Sequence, residues 1–359
     1  MNTNTLIFNH QHYTGRELRQ FSENKIQDQL TSAWEKDIFR FMITWLDDSD
    51  SIIQFSSGTT GKSRRLNLLK KSMIRSAENT CRFFNLTSGM TAVLCLPIHY
   101  IAGKMMIVRS MVAGMNLHLV EPKSTPDLSA VESAEFSAMV PLQVFNILKD
   151  RSFSIPVRKL LIGGAEITPR LINLVQSVPA EVFASYGMAE TCSHVALRRL
   201  NGPDTQDAYH ALPEVSLTSD KRGCLVISAA YLPDQIITND LVKFTGAGSF
   251  VWLGRYDNLI NSAGIKIVPE EVEAAVMAKA GLECTVVGLP DERFGQKAVM
   301  VFESNKSPDD ISGIKNRLES LLPAHWLPKK IFRVEKFPRN DSFKIDRKRL
   351  TELITHISQ

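Results

Sequence analysis

The chain has 359 residues, of which 44% are hydrophobic and 22% are charged, a composition that is ordinary for a globular protein of two domains. Its net charge of +4 is too small to favour nucleic acid as a partner, so anionic small molecules are the better expectation. The five cysteines lack CxxC spacing, which argues against a disulfide framework or a zinc site and for a reducing, cytoplasmic environment. The first residues lack a signal-peptide pattern, and no apolar run approaches the roughly 18 residues that a membrane span needs.

Residues 50–190 alternate short apolar strands with helices, which is typical of a parallel sheet covered by helices. Strands are expected at 91–96, 116–120, 136–140, 159–162 and 181–184, and helices at 101–112, at 141–148 and after Thr168 and Pro169, an N-cap with proline in the first turn. Residues 205–253 are broken by Gly, Pro and Asp, and they predict a small, mainly antiparallel layer. Beyond residue 254 the pattern predicts a compact α+β unit with helices from 269, at 311–322 and from 346, and strands near 285–288, 298–303 and 331–334.

Two predicted strands, 52–55 and 66–69, enclose the polar segment SSGTTGKSR at residues 56–64. Its hydroxyl side chains, glycines and cations offer O–H donors, backbone N–H groups and positive charge to one polyanion. Such a segment predicts a phosphate-binding loop.

Two alternatives compete with this interpretation. The P-loop signature of kinases and ATPases needs glycine where the chain has Ser56, and it should run directly into a helix, whereas the first helical pattern here starts near Ser72. An ordinary Ser/Thr/Gly hairpin turn seldom carries this density of donors beside Lys62 and Arg64. The context therefore favours a phosphate-binding loop between two strands.

The segment resembles the phosphate loop of the adenylate-forming superfamily, the acyl-CoA synthetases and their relatives, usually written [ST]SG[ST]TGxPK. Ser63 stands at the family's proline and Arg64 at its lysine, so the charge is kept and the rigid turn is not. The resemblance implies that ATP is held by Ser56, Ser57, Gly58, Thr59, Thr60, Gly61, Lys62 and Arg64.

A second motif, SYGMAET at residues 185–191, follows a predicted strand, at the edge where open α/β sheets bind ligands. It resembles the family's YGxTE segment, with Ala189 at the usual threonine. The resemblance implies that Tyr186 contacts adenine and that Glu190 binds Mg²⁺ together with Thr59, a role that suits a carboxylate beside phosphate oxygens. The nucleotide-binding set is completed by Gly164 and Ala165 of the GGAE segment and by Ser185 and Gly187.

The sequence from Gly254 to Glu273 resembles the family's GRxDDxIxxxGxxVxPxEVE pattern, and Thr238-Asn239-Asp240 resembles its TGD. The resemblance implies that Asp240 binds the ribose hydroxyls, that Arg255 contacts ribose and phosphate, that Asp257 is a hinge and that Gly264 helps to shape the coenzyme A tunnel. A Gly-Arg-x-Asp turn between two cores can act as a hinge on physical grounds alone, although a solvated interdomain turn would look the same.

Near the end of the chain, PRNDSFKIDR at residues 338–347 resembles PxxxSGKxxR, whose lysine stabilises the charge that develops during adenylation. Lys344 stands at that position, and a positioned cation is a reasonable catalytic device at phosphorus. Phe343 stands where the family has glycine. Considered alone, Lys344 would be a surface lysine; the ordered upstream motifs favour the catalytic interpretation.

Arg109 lies in an otherwise apolar helix, after a PIHY segment that resembles the family's PLxHxxG. A buried arginine is costly unless an anion pairs with it, and the alternative is an arginine on an exposed helical stripe. Its position is similar to the arginine of o-succinylbenzoate–CoA ligases, and SYGMAETCS resembles that branch's SYGMTETCS. The resemblance implies that Arg109, Tyr100 and Met188 bind the acid, with Arg109 on the carboxylate that is not activated.

The sequence thus predicts an α/β protein with a large N-terminal AMP-binding domain, residues 1–254, and a small mobile α+β domain, residues 255–359. The expected activity is an ATP-dependent, AMP-forming CoA ligase of menaquinone biosynthesis, using ATP, Mg²⁺ and coenzyme A. Alternatives are a ligase for another aromatic or carboxylic acid, a P-loop kinase or ATPase that would release ADP, and a truncated nucleotide-binding or scaffold protein without turnover. About fifty-five residues precede the phosphate loop, far fewer than in the family, so the first subdomain is expected to be reduced, with a more open site or a changed oligomeric state such as a homodimer.

Overall fold

The computed structural model describes residues 4–56, 64–149, 155–303, 311–339 and 345–358. These residues form two compact units by their contacts: Met1–Leu217 with Ile227–Ile236 and Gly246–Ser249, and Thr218–Val226 with Ile237–Thr245 and Phe250–Gln359. The expectation of a mixed α/β fold with a larger and a smaller sheet is confirmed. No helix in the described part of the chain is both long and apolar enough to cross a membrane.

The helices of the described residues follow one another as α1 Gly15–Gln27, α2 Ala33–Trp45, α3 Lys70–Phe83, α4 Ile101–Ala113, α5 Pro141–Lys149, α6 Pro169–Val175, α7 Pro269–Ala280, α8 Ile311–Leu321 and α9 Arg347–Ser358. The strands up to residue 211 are β1 Leu6–Phe8, β2 Gln11–Tyr13, β3 Ser51–Ser56, β4 Arg64–Leu69, β5 Thr91–Leu94, β6 Asn116–Leu119, β7 Ala134–Met139, β8 Val157–Ile162, β9 Glu181–Gly187, β10 His194–Arg199 and β11 Tyr209–Ala211. The later strands are β12 Val215–Ser219, β13 Cys224–Ala229, β14 Ile236–Gly246, β15 Ser249–Arg255, β16 Ile260–Ser262, β17 Ile265–Ile267, β18 Thr285–Asp291, β19 Gly295–Glu303 and β20 Lys330–Val334.

The main sheet of the first unit is parallel at its centre, as the alternation of strands and helices predicts. Its strands run in the order β11-β10-β9-β8-β7-β5-β6-β1-β2, and the neighbours from β9 to β1 are parallel. Their carboxyl ends therefore share one edge, where ligands of open α/β sheets bind.

Helices cover both faces of this sheet, because successive residues of a strand point to opposite sides. Along β8, Leu161 belongs to the core that also holds Met105 of α4, whereas Leu160 and Ile162 belong to the core that holds Val144 of α5. Both sides of the central strands are thus apolar, which is why these strands read as continuous hydrophobic runs.

Two helices that precede the phosphate loop were missed by the sequence reasoning, although both begin with a capping motif. The Thr14 N–H donates to Glu17 Oε2 at 2.9 Å, and the Ser32 N–H donates to Glu35 Oε2 at 3.0 Å. A side chain at the third helical position that satisfies the N-cap N–H is a sequence-level signal for a helix start. These helices place Leu18, Phe39 and Met42 in the same core as α4.

Strands β12 to β15 are consecutive neighbours. A separate sheet runs in the order β17-β16-β19-β18, with β20 parallel to β19 and the other neighbours antiparallel. Helix α7 contributes Val272 and Val276, and α9 contributes Leu350 and Ile354, to two cores beside this sheet. The predicted α+β character of the C-terminal residues is confirmed.

Candidate active site

Strands β3 and β4 form a two-stranded antiparallel ribbon that frames the predicted phosphate loop. Pairing runs from Ser51 opposite Leu69 to Ser56 opposite Arg64, so the ends of the loop are held side by side. The loop is followed by a strand and not by a helix, so the P-loop interpretation is wrong. The predicted ligands Ser57, Gly58, Thr59, Thr60, Gly61 and Lys62 lie outside the described residues, and Arg64 is exposed on β4.

The second predicted motif leaves the carboxyl end of β9. Tyr186 and Gly187 end the strand, and Glu190 lies in the 3-10 helix Ala189–Thr191 with its side chain partly buried. The ring of Tyr186 lies 5.9 Å from that of Tyr209, between centroids. The aromatic ring of Tyr186 and the carboxylate of Glu190 are thus both located at the carboxyl end of β9.

Hydrogen bonds of Thr191, which is fully buried, fix the shape of this loop. Its hydroxyl accepts from the Met188 N–H at 2.9 Å and donates to the Ser193 carbonyl at 2.5 Å. Gly187 is needed here, since a Cβ atom at this position would lie 2.3 Å from the Ser193 oxygen. The sequence reasoning did not give Thr191 a role.

The GGAE segment lies beside this loop, because β8 and β9 are parallel neighbours. Ser185 Oγ donates to the Ile162 carbonyl at 3.1 Å, and a Cβ atom on Gly163 would meet that same Oγ at 2.1 Å. Gly164 has a φ of +82°, in the left-handed region that glycine adopts without strain. The structure therefore brings Gly164, Ala165 and Ser185 to one edge of the sheet.

The PIHY segment leaves β5 at the same edge and leads into α4, with Tyr100 as N-cap. Gln54 of β3 donates to the His99 carbonyl at 2.9 Å, and Lys104 Nζ donates to Gln54 Oε1 at 2.6 Å. Burial lowers the pKa of Lys104 to about 8. These contacts tie the strand that enters the phosphate loop to the segment that carries Tyr100, and no local pattern could have predicted them.

Arg109 lies inside the first unit and not on an exposed helical stripe. Its side chain is only 1% exposed, and no carboxylate within the described ranges lies within ion-pair distance of it. Burial lowers the pKa of the Arg109 guanidinium to about 10, so the group is still a cation at neutral pH. A buried cation without a fixed counterion is unfavourable, and pairing with an anionic ligand would offset that cost.

The polar partners of Arg109 come from the end of the second motif and were missed by sequence reasoning. Arg109 Nη2 donates to Ser193 Oγ at 2.5 Å and lies 3.3 Å from Nδ1 of His194. The Nε–H has no hydrogen-bond partner among the described residues, and Nη1 makes a weak contact of 4.0 Å with the Met106 sulfur. Part of the hydrogen-bonding capacity of the guanidinium is therefore unfilled.

His194 should make the stability of the folded protein depend on pH. Burial, and next the charge of Arg109, hold the pKa of His194 well below 6.5. The unfolded chain therefore takes up this proton below pH 6.5 and the folded chain does not, so stability is lost as the pH falls. We expect wild type to lose about 1 kcal/mol more than His194→Asn between pH 6.5 and 5.5.

Urea unfolding at a series of pH values measures this difference. The control is His210→Asn, which removes an exposed histidine from the neighbouring strand β11 and should retain the wild-type slope. Equal pH slopes for wild type and His194→Asn would contradict a neutral, buried His194.

In the second unit, the predicted ribose and phosphate residues are brought together. Asp240 is 6% exposed and accepts from Arg255 Nη1 at 3.1 Å and from Trp252 Nε1 at 3.3 Å. Arg255 Nη2 donates to Asp257 at 3.0 Å, and the Asn239 amide donates to the same carboxylate at 3.0 Å. One network thus joins the Thr-Asn-Asp segment of β14 to the Gly-Arg-Tyr-Asp segment.

Gly264 lies in the tight turn between β16 and β17, with φ of +83° after Ala263 at +53°. Two successive positive φ values suit the right-handed twist of a two-residue hairpin. A Cβ atom on Gly264 would meet nothing within 4 Å, so the glycine is needed for its backbone angle and not for close packing within the described residues.

Lys344 lies outside the described residues. The residues that flank its segment are described: Arg339 and Ile345 form an isolated antiparallel bridge, and the Asp346 N–H donates to the Pro338 carbonyl at 2.8 Å. Arg347, the last residue of the motif, donates from both terminal nitrogens to Glu273 at 2.7 Å each. The motif is therefore attached to α7 by a partly buried ion pair.

Magnesium is the metal that the motifs imply, and the residues present are compatible with it. Within the described ranges no group of three His, Cys, Asp or Glu residues could enclose a metal. Mg²⁺ in nucleotide sites usually takes one or two carboxylates and completes its shell with phosphate oxygens and water. Glu190 has a partly buried carboxylate of the kind that such a site uses.

Comparisons with known proteins match most of the chain. The family of AMP-binding enzymes matches residues 9–217, and the AMP-binding enzyme C-terminal domain matches residues 271–344. A 2-succinylbenzoate–CoA ligase of Staphylococcus epidermidis is 27% identical over 332 residues, which cover 84% of this chain and 70% of that protein.

Two solved structures illustrate the likeness. The crystal structure of an acyl-CoA synthetase (AMP-forming)/AMP-acid ligase II-like protein from Dyadobacter fermentans is 33% identical, with a TM-score of 0.61, and the match covers 94% of this chain and 98% of that one. The o-succinylbenzoate coenzyme A synthetase of Bacillus subtilis, in complex with ATP and magnesium ion, has a TM-score of 0.76 at 18% identity and covers 97% of this chain and 96% of that one. At 18% identity, the similarity to the Bacillus subtilis structure shows a shared fold only.

Proposed function

Because this chain belongs to the family of AMP-binding enzymes, we propose that it is an AMP-forming acid–thiol ligase that converts o-succinylbenzoate to o-succinylbenzoyl-CoA. The observation that carries the choice of acid is Arg109, a buried cation without a carboxylate partner in the described part of the chain. A substrate with two carboxylates can present one to Arg109 while the other reacts. The likeness to the Staphylococcus epidermidis ligase supports the same substrate.

The reaction proceeds in two balanced steps. An oxygen of the acid carboxylate attacks the α-phosphorus of ATP, and pyrophosphate leaves to give the acyl-adenylate. The thiol of coenzyme A then gives its proton to solvent water and attacks the acyl carbon, and AMP leaves as the thioester forms. Both steps move negative charge onto phosphate oxygens, so fixed cations are the main catalytic requirement.

Residues of this chain provide the positive charge and hold the substrates in place. Lys62 and Arg64 neutralise the phosphates, Asp240 and Arg255 bind the ribose, and Tyr186 stacks on adenine. Lys344 stabilises the charge at phosphorus during adenylation. Glu190, with Thr59, holds Mg²⁺, which when bound neutralises phosphate oxygens and orients the leaving pyrophosphate.

The domain boundary at residues 254/255 and rotation of residues 255–359 about Asp257 belong to the same proposal. Asp257 lies in the short 3-10 helix Tyr256–Asn258, between β15 and β16, where few dihedral angles would have to change. We further expect the enzyme to work in the cytoplasm without nucleic acid, and a homodimer is one oligomeric state to be tested. Light scattering on the purified protein determines its oligomeric state.

Pyrophosphate release tests the proposed function. The protein is assayed with ATP, Mg²⁺ and coenzyme A, and with o-succinylbenzoate, benzoate or a fatty acid in parallel. Release that requires o-succinylbenzoate supports the ligase and its acid. Release with another acid would retain the family chemistry and discard this substrate, whereas ATP binding without release would favour a nucleotide-binding protein without turnover.

A further inference from the structure

The imidazole of His194 links the buried Arg109 to the body of the first unit. Its Nδ1 lies 3.3 Å from Arg109 Nη2 and 3.3 Å from Ser193 Oγ, and its Nε2 lies 3.2 Å from Thr80 Oγ1 on α3. His194 is 5% exposed and begins β10, directly after the motif that carries Glu190. None of the roles proposed above uses this residue.

The donors and acceptors around His194 favour one tautomer. Arginine can only donate, so an unprotonated Nδ1 can accept on the Arg109 side, either directly or through the Ser193 hydroxyl that accepts from Nη2. The Nε2–H is then free to donate to Thr80 Oγ1, whose own hydrogen goes to the Ser76 carbonyl at 3.1 Å. In this tautomer Arg109 donates towards His194, His194 donates to Thr80, and Thr80 donates to the Ser76 carbonyl.

The backbone on either side of His194 is also tightly constrained. Cys192 has a φ of +63°, a conformation that a non-glycine residue adopts only where its surroundings enforce it. A Cβ atom on Gly187 would lie 2.5 Å from the His194 Cα, so the end of β9 packs directly against the start of β10. The backbone of His194 is thus held close to the strand end that leads to Glu190.

We infer that His194 is a positioning residue: as the neutral Nε2–H tautomer it holds Arg109 Nη2, which leaves Nε and Nη1 to bind the non-reacting carboxylate of the acid. This inference rests on the proposed function for the identity of the acid. A charged imidazolium in this place would put a second cation 3.3 Å from the guanidinium nitrogen, where the two charges repel. The neutral ring therefore fixes the orientation of the guanidinium without neutralising its charge.

Substitutions at His194 separate positioning from folding. His194→Leu removes both ring nitrogens at a similar volume, and His194→Asn keeps an acceptor near the place of Nδ1. A lost hydrogen bond to a charged group is equivalent to about a 10- to 100-fold change in binding, so we expect His194→Leu to raise the KM for o-succinylbenzoate by that factor. We expect kcat and the KM for ATP to stay within about threefold of wild type, and His194→Asn to recover most of the loss.

The controls are His210→Asn and a melting temperature for each variant, which identifies a protein that simply fails to fold. An unchanged KM for the acid in a folded His194→Leu protein would overturn the inference, as would a parallel rise in the KM values for acid and ATP. Wild-type protein that releases no pyrophosphate with any acid would instead be a failure of the proposed function.

A spectroscopic measurement tests the tautomer without turnover. In protein with ¹⁵N-labelled histidine, the signals that vanish in His194→Asn identify the ring of His194. We expect a protonated Nε2 and an unprotonated Nδ1 at pH 7. A proton on Nδ1, or rapid exchange between tautomers, would contradict the inference whatever the activity of the enzyme.

Discussion

Replacing Lys344 by alanine should lower the rate of adenylate formation by about 100- to 1,000-fold, the usual cost of removing one group that stabilises transition-state charge. Thioester formation from supplied o-succinylbenzoyl-adenylate should stay within about threefold of wild type, because that step forms no new bond to phosphorus. The two half-reactions are measured separately, by pyrophosphate release without coenzyme A and by thioester formation without ATP. The prediction therefore assigns Lys344 to one half-reaction.

The control for this experiment is Lys336→Ala, which removes an exposed lysine of the same region outside the motif and should leave both half-reactions unchanged. An equal loss in both half-reactions would remove Lys344 from its assigned role and point to a general defect of the C-terminal residues. A loss of activity in thioester formation alone would indicate that Lys344 acts on coenzyme A instead.

Sequence reasoning was strongest where the chemistry is local. The antiparallel β3–β4 ribbon follows from apolar runs on both sides of a polar segment, and the start of α6 follows from Thr168, whose hydroxyl accepts from the Leu171 N–H at 3.3 Å. Helices α1 and α2 have an equally local signal in the capping pairs Thr14-Glu17 and Ser32-Glu35, so both helix starts are predictable from the sequence. A capping pair depends on four consecutive residues and can be found without knowledge of the fold.

The partners of the site residues could not be found in this way. Lys104 and Gln54 are fifty positions apart, and Arg109 and His194 are eighty-five apart, so only the completed sheet brings them together. Burial of Arg109 was likewise ambiguous, because a single arginine in an apolar helix fits an exposed stripe or a core. The fold decides between them by covering both sides of the central strands, with α4 in the larger core.

Arg109→Met should raise the KM for o-succinylbenzoate by about 100-fold or more and leave the KM for ATP within about threefold, since a charge-assisted, bidentate contact to a carboxylate is lost. Methionine is preferred to alanine because it fills much of the volume inside the core and avoids a large cavity. Arg109→Lys keeps the positive charge but loses the planar guanidinium with its paired N–H donors. Its KM for the acid should therefore lie between those of wild type and Arg109→Met. Initial rates of pyrophosphate release, measured at varied concentrations of acid and ATP, give the KM values of wild type and of both variants.

Stability provides a second readout of the same substitution. Burial of an unpaired cation is unfavourable, so the folded Arg109→Met protein should be at least as stable as wild type towards urea in the absence of substrate. The matched control is Arg158→Ala, which removes an exposed arginine from β8 and should change neither KM value. A destabilised Arg109→Met protein with an unchanged KM for the acid would mean that the buried cation holds the fold together. A stable protein with a raised KM would mean that the chain carries the cost of burying this charge in order to recognise the second carboxylate of its substrate.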